Sequence, residues 1–79
     1  MSTIPAVAPA GEYLAMRYLL VELFLVQVLG LTLEEAPLEA DALQHAVSDR
    51  LLDRIDALLG RPGRDLRGER IPRPQARCP

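Results

Sequence analysis

Seventy-nine residues with one cysteine, one histidine and a net charge of −2 make one small domain and exclude two usual means of holding it together. Cys78 alone cannot close an intramolecular disulfide, and His45 alone cannot complete a Cys/His zinc cluster within one chain. A chain this short then relies on self-association or on a protein partner.

The charge is unevenly spread. Residues 1–60 hold nine acids and three arginines, and residues 61–79 hold six arginines and two acids, so a body of −6 precedes a tail of +4. No Lys or Arg precedes the first apolar run, which argues against a secretory leader. The absence of a cysteine framework fits a reducing compartment, and the expected location is cytoplasmic.

Residues 1–11 place Pro5, Pro9 and Gly11 among small residues and are expected to form a flexible N-terminal arm. Helix 1 follows, over about 12–29, with Gly30 placed to stop it. Its polar residues Glu12, Arg17, Glu22 and Gln27 recur every five positions. At about 100° per residue such a step scatters them around the helix and leaves no broad wet face. Two apolar seams remain on opposite sides. One carries Leu14, Tyr18, Val21, Leu25 and Val28, the other Met16, Leu19, Leu23 and Val26. One seam is expected to meet the rest of the chain and the other to form an interface. A single membrane span is the alternative for this segment. Arg17 and Glu22 count against it, because each charge near a bilayer centre costs about 2.5–3.5 kcal/mol.

Thr32 and Glu35 match a capping box, and Pro37 suits a first helical turn. A short turn at 33–35 is therefore expected before helix 2, which runs over about 37–59 until Gly60 and Pro62 end it. Ala40, Leu43, Val47, Leu51, Ile55 and Leu58 fall on one face of that helix, with Leu52 and Leu59 beside them. Two helices joined by a short connector should pair antiparallel. The expected fold is all-α, a helical hairpin that forms a four-helix bundle by dimerisation.

Residues 61–79 are rich in arginine, proline and glycine and are expected to be disordered. Arg61, Arg64, Arg67, Arg70 and Arg73 recur every third residue and are the candidate contacts to an anionic partner. Nucleic acid is disfavoured as that partner, since the body is acidic and the tail has no aromatic residue to stack on bases.

Chemistry finds little to work with. Asp41, His45 and Asp49 follow an i, i+4, i+8 spacing that would align a metal-binding row on an unbroken helix. The row lies off the apolar stripe and reads as a solvated face, so no metal and no cofactor are expected. Ser48 beside His45 lacks a third group to orient it, and no glycine-rich phosphate loop occurs. No catalytic residue is expected. The reading is a small non-enzymatic interaction protein, an adaptor, regulator or accessory subunit, acting as a homodimer. A chaperone or anti-activator docking onto a larger protein and a small single-span membrane protein are the alternatives.

Overall fold

The computed structural model describes residues 7–74. Three helices follow in order: α1 (Val7–Gln27), α2 (Ala36–Leu43) and α3 (Asp49–Leu58). Among the described residues there is no strand, only an isolated antiparallel bridge between Arg64 and Arg70. The fold class is all-α.

Helix α1 starts earlier than position 12. Residues 7–11 of the expected arm are helical, and residues 1–6 lie outside the described residues. Pro9 is accommodated because it falls in the first turn, where a missing N–H costs no helical hydrogen bond. At the other end Gly30 takes φ +78°, and the Leu31 N–H bonds back to the Leu25 carbonyl at 3.0 Å. The capping box forms as its residues imply. The Thr32 N–H donates to Glu35 Oε1 and the Glu35 N–H to Thr32 Oγ1, each at 3.0 Å, and α2 starts one residue later with Pro37 in its first turn.

The expected helix over 37–59 is two helices. It breaks between Leu43 and Asp49, where Ser48 adopts extended backbone and its Oγ accepts the Leu51 N–H at 3.1 Å. That is an N-cap, and it restarts the helix in a new phase. The apolar face shifts with it. Leu52 and Ile55 point inward, while Leu51 and Leu58, expected on the buried stripe, are 49% and 64% exposed.

The segment 61–74, expected to be disordered, folds back over the helices. Gly60 and Arg61 take φ +85° and +52°, and their N–H groups bond to the carbonyls of Ala57 and Asp56 at 3.0 and 2.8 Å. This pairing closes the end of α3 and reverses the chain. A second turn is organised by Asp65, whose Oδ1 accepts the N–H groups of Arg67 and Glu69, both at 2.9 Å. Gly68 supplies the left-handed position there, at φ +84°. Ile71 then enters the core, 3% exposed. Residues 75–79 lie outside the described residues.

The centre of α1 is enclosed on all sides. Leu20, Val21, Glu22, Leu23 and Leu25 are all buried, and at helical spacing they point in every direction. Ala36 and Ala40 of α2, Leu52 and Ile55 of α3, Val47 between them and Ile71 complete the core. The chain therefore shields the middle of both seams itself. The break in helix 2 creates two covering elements, and the returning segment supplies a third. No helix among the described residues is long and apolar enough to cross a membrane.

Candidate functional site

Two polar residues of α1, Arg17 and Glu22, address different neighbours. Arg17, with its side chain 11% exposed, reaches the break between α2 and α3. Its Nη2 donates to the carbonyls of Gln44 and Val47, and its Nη1 to Asp49 Oδ1 at 3.2 Å, where the Tyr13 hydroxyl also donates. Glu22, 1% exposed, faces the returning segment. Arg67 grips it with both guanidinium nitrogens, Nη2 to Oε2 at 3.0 Å and Nη1 to Oε1 at 3.3 Å. Asp65 Oδ2 lies 3.6 Å from the same Nη1. Burial pushes the nearby Tyr18 phenol up, the Glu22 and Asp41 charges reinforcing this and Arg67 opposing it.

A second buried carboxylate is treated the same way. Arg73 binds Asp56 through two nitrogens, at 2.8 and 3.0 Å, and Arg61 adds a bond at 2.9 Å. Burial alone would raise the Asp56 carboxyl, but the hydrogen bonds from Arg73 and Arg61 outweigh it and hold the group below its ordinary value. Among the described residues no buried side-chain nitrogen or oxygen lacks a partner.

These contacts account for most of the arginine series. Arg61, Arg67 and Arg73 meet Asp53, Glu22 and Asp56 of the same chain. Arg64 donates to the Gly68 carbonyl at 3.0 Å, and Arg70 is exposed. The anionic partner of three of the five is thus the chain's own acidic body.

Asp41, His45 and Asp49 do not form a row in the fold. The break after Leu43 separates that row: Asp41 ends up on α2, His45 in the exposed turn, and Asp49 on α3 beside Arg17. Among the described residues no three His, Cys, Asp or Glu side chains gather to hold a metal ion. Ser48 is engaged in capping α3, with its hydroxyl on the Leu51 N–H.

The seam residues divide by depth. Val21, Leu23 and Leu25 are core, and Tyr18, Met16, Leu19 and Val26 are half-buried against it. Leu14 and Val28 remain 59% and 46% exposed. Apolar residues of the expected helix 2 face, which helix 1 was to cover, line open surface instead. An open groove of about 390 Å³ between α1 and α3 is lined by Phe24, Leu43, Val47, Leu51, Ile55 and Leu58, together with Arg54. Across Leu43, a second groove runs between the end of α1 and α2, lined by Leu25, Leu29, Leu31 and Ala46 with the carboxylates of Glu35 and Glu39. The signal for the first groove was the Ser48-Asp49 pair. Read as a helix start, it rotates Leu51 and Leu58 to the surface.

An all-α unit whose longest helix is sheathed by two shorter helices and an ion-paired returning segment is the class of domain these residues define. Residues 9–73 match the family model described as iron dependent repressor, metal binding and dimerisation domain, and the chain belongs to that family. Two solved structures resemble it closely. One is a manganese-dependent transcriptional repressor in complex with manganese, 42% identical with a TM-score of 0.83, covering 99% of this chain and 37% of its own. The other is a manganese-dependent transcriptional repressor, 46% identical with a TM-score of 0.79, covering 90% of this chain and 40% of its own. This chain therefore spans well under half the length of either relative. No curated protein matches it.

Proposed function

We propose that this chain is the self-association module of a transcriptional regulator, and that it works by pairing with a second copy of itself through the face between α1 and α3. The observation that carries this reading is the groove lined by Phe24, Leu43, Val47, Leu51, Ile55 and Leu58, which is almost purely apolar and open to solvent. Leu51 and Leu58 stand on its rim, and Val28, just past the end of α1 with its N–H on the Phe24 carbonyl, adds exposed apolar surface near Phe24. A small domain does not leave such a face wet without a use for it. Membership in a family described by dimerisation supports a second copy as the occupant. A two-fold pairing would bring the same leucines from each copy into contact, as isologous interfaces do.

The role is a binding role with no chemistry of its own. It joins copies of a regulator and so sets the spacing of whatever the rest of that regulator carries, and a cytoplasmic location goes with this role.

The test is sedimentation equilibrium of the chain and of Leu51→Asp and Leu58→Asp variants. The expected result is a dimer for the parent and a folded monomer for each variant, with helical circular dichroism retained. A parent that stays monomeric at high concentration, or variants that remain dimeric, would sink the reading.

A further inference from the structure

Three of the five regularly spaced arginines are spent on the chain's own carboxylates, and two are not. Arg64 and Arg70 make no ion pair among the described residues, in a chain that carries eleven acids. They stand opposite one another in the antiparallel bridge of the returning segment. Two bonds flank that bridge, from the Asp65 N–H to the Glu69 carbonyl at 2.8 Å and from the Ile71 N–H to the Gly63 carbonyl at 2.9 Å. Residues 64 and 70 are therefore the pair without hydrogen bonds to each other, which brings Cα atoms to about 4.5 Å and both side chains onto one face. Ile71, the next residue, enters the core, so by alternation the face shared by the two arginines is turned to solvent.

Like charges directly opposite one another destabilise a ribbon unless something neutralises them. Asp65, the acid beside Arg64, does not: its carboxylate holds the N–H groups of Arg67 and Glu69 and lies near the Arg67 guanidinium. An open cavity of about 420 Å³ adjoins the pair, lined by Gly63, Arg64, Arg70, Ile71, Pro72 and Arg73, three arginines and no acid. Arg73 is committed to Asp56 and to the Pro62 carbonyl. Arg64 spends one nitrogen on the Gly68 carbonyl, which leaves its other N–H groups and the Arg70 guanidinium to a ligand.

We propose that Arg64 and Arg70 together bind a small oxyanion of the phosphate class. A carboxylate is satisfied by one guanidinium, as Glu22 is by Arg67. A phosphate group carries about −1.5 to −2 charges at pH 7 and three acceptor oxygens, enough to neutralise two guanidiniums at once. The platform is set before any ligand arrives, by the Asp65 turn, the left-handed Gly68 and the anchored Ile71. Residues 1–60 hold nine acids against three arginines and repel a long polyanion, so the charge balance favours a free ion over a nucleic-acid backbone. Neither arginine lines the groove between α1 and α3, and the site is independent of self-association.

The experiment titrates the whole chain with sodium phosphate, ionic strength being held constant with sodium chloride. Arginine Nε–H signals are followed by NMR, and thermal midpoints are read on the same samples. The Arg64 and Arg70 signals are expected to move saturably, while that of Arg17, bound at the gap between α2 and α3, stays in place. The midpoint is expected to rise by several degrees at about ten times the dissociation constant. Phosphate also stabilises folded chains by its exclusion from their surfaces, so Arg64→Gln and Arg70→Gln are measured alongside the parent. Each variant is expected to lose the part of the rise that exceeds this general effect. In chloride alone Arg70→Gln is expected to melt no lower than the parent, because the opposed charge is gone. Equal rises for the parent and both variants, or Arg64 and Arg70 signals that do not move, overturn the proposal. A chloride midpoint for Arg70→Gln well below the parent's does so too, since Arg70 would then be holding the fold and not a ligand. A short DNA duplex that moves the two signals where inorganic phosphate does not also overturns it.

Discussion

Glu22 and Arg67 lie 45 positions apart in the chain and meet at 3.0 Å, the carboxylate 1% exposed and the guanidinium side chain 52% exposed. The pair is lopsided: one partner is sealed in and the other opens to water. Loss of the two partners should therefore have unequal effects. Arg67→Ala strands a buried negative charge, whereas Glu22→Gln leaves a neutral amide that still accepts a hydrogen bond and an arginine that water can solvate. Urea midpoints are expected to fall further for Arg67→Ala than for Glu22→Gln. The reverse order would show that the carboxylate is solvated in a way the geometry denies.

Asp56 contributes to the acid dependence of stability. Its folded carboxyl titrates below the ordinary value of 3.8, because the bonds from Arg73 and Arg61 outweigh its burial. The unfolded chain thus binds the proton more readily than the folded one. The group's contribution is complete above about pH 5 and is lost as pH falls through 3.8 toward the folded value. Denaturation midpoints followed across that window should drop less steeply for Asp56→Asn than for the parent, although the variant is less stable at neutral pH.

Ser48→Ala removes the side-chain acceptor for the Leu51 N–H at the start of α3. A lost N-cap of this kind costs about 1 kcal/mol. Equilibrium urea unfolding is the measurement, and an unchanged midpoint would mean that Arg17 alone holds the break together.

Two glycines should respond with opposite signs. Gly68 sits at φ +84° with open space around its Cα, so Gly68→Ala meets no clash and suffers only the left-handed penalty, about 1–2 kcal/mol. Gly11 lies within α1 with the same open space, so Gly11→Ala should stabilise by about 0.5–1 kcal/mol. Thermal midpoints of the two variants check both directions together.

Much of the fold could be read from the residues, and the misreadings have separate causes. The stop at Gly30, the Thr32–Glu35 box and the end of α3 at Gly60 depend on local chemistry, and local chemistry is written in order along the chain. The break at Ser48 was equally local, but the apolar spacing from Ala40 to Leu58 ran through it unbroken and masked the cap. Arg67 and Arg73 were harder. Their partners, Glu22 and Asp56, are 45 and 17 positions away, and nothing in an arginine repeat says which acids it will meet. The five-residue spacing of the polar residues of α1 carries more than the lack of a wet face. A helix with charges pointing in several directions has a neighbour waiting in more than one of them, and here Arg17 and Glu22 found theirs within the chain. The candidate surface was less legible still, because Leu51 and Leu58 count as interior until the phase of α3 is known.

The link from Arg17 to the carbonyls of Gln44 and Val47 has a mechanical consequence. A gap between two short helices is ordinarily a hinge, free to bend because its backbone carbonyls can trade protein for water. Here a single rivet from the longest rod crosses both sides of the gap, so the two pieces tilt together or not at all. The start of α3, which carries the rim leucines, is thereby tied to α1 at Arg17.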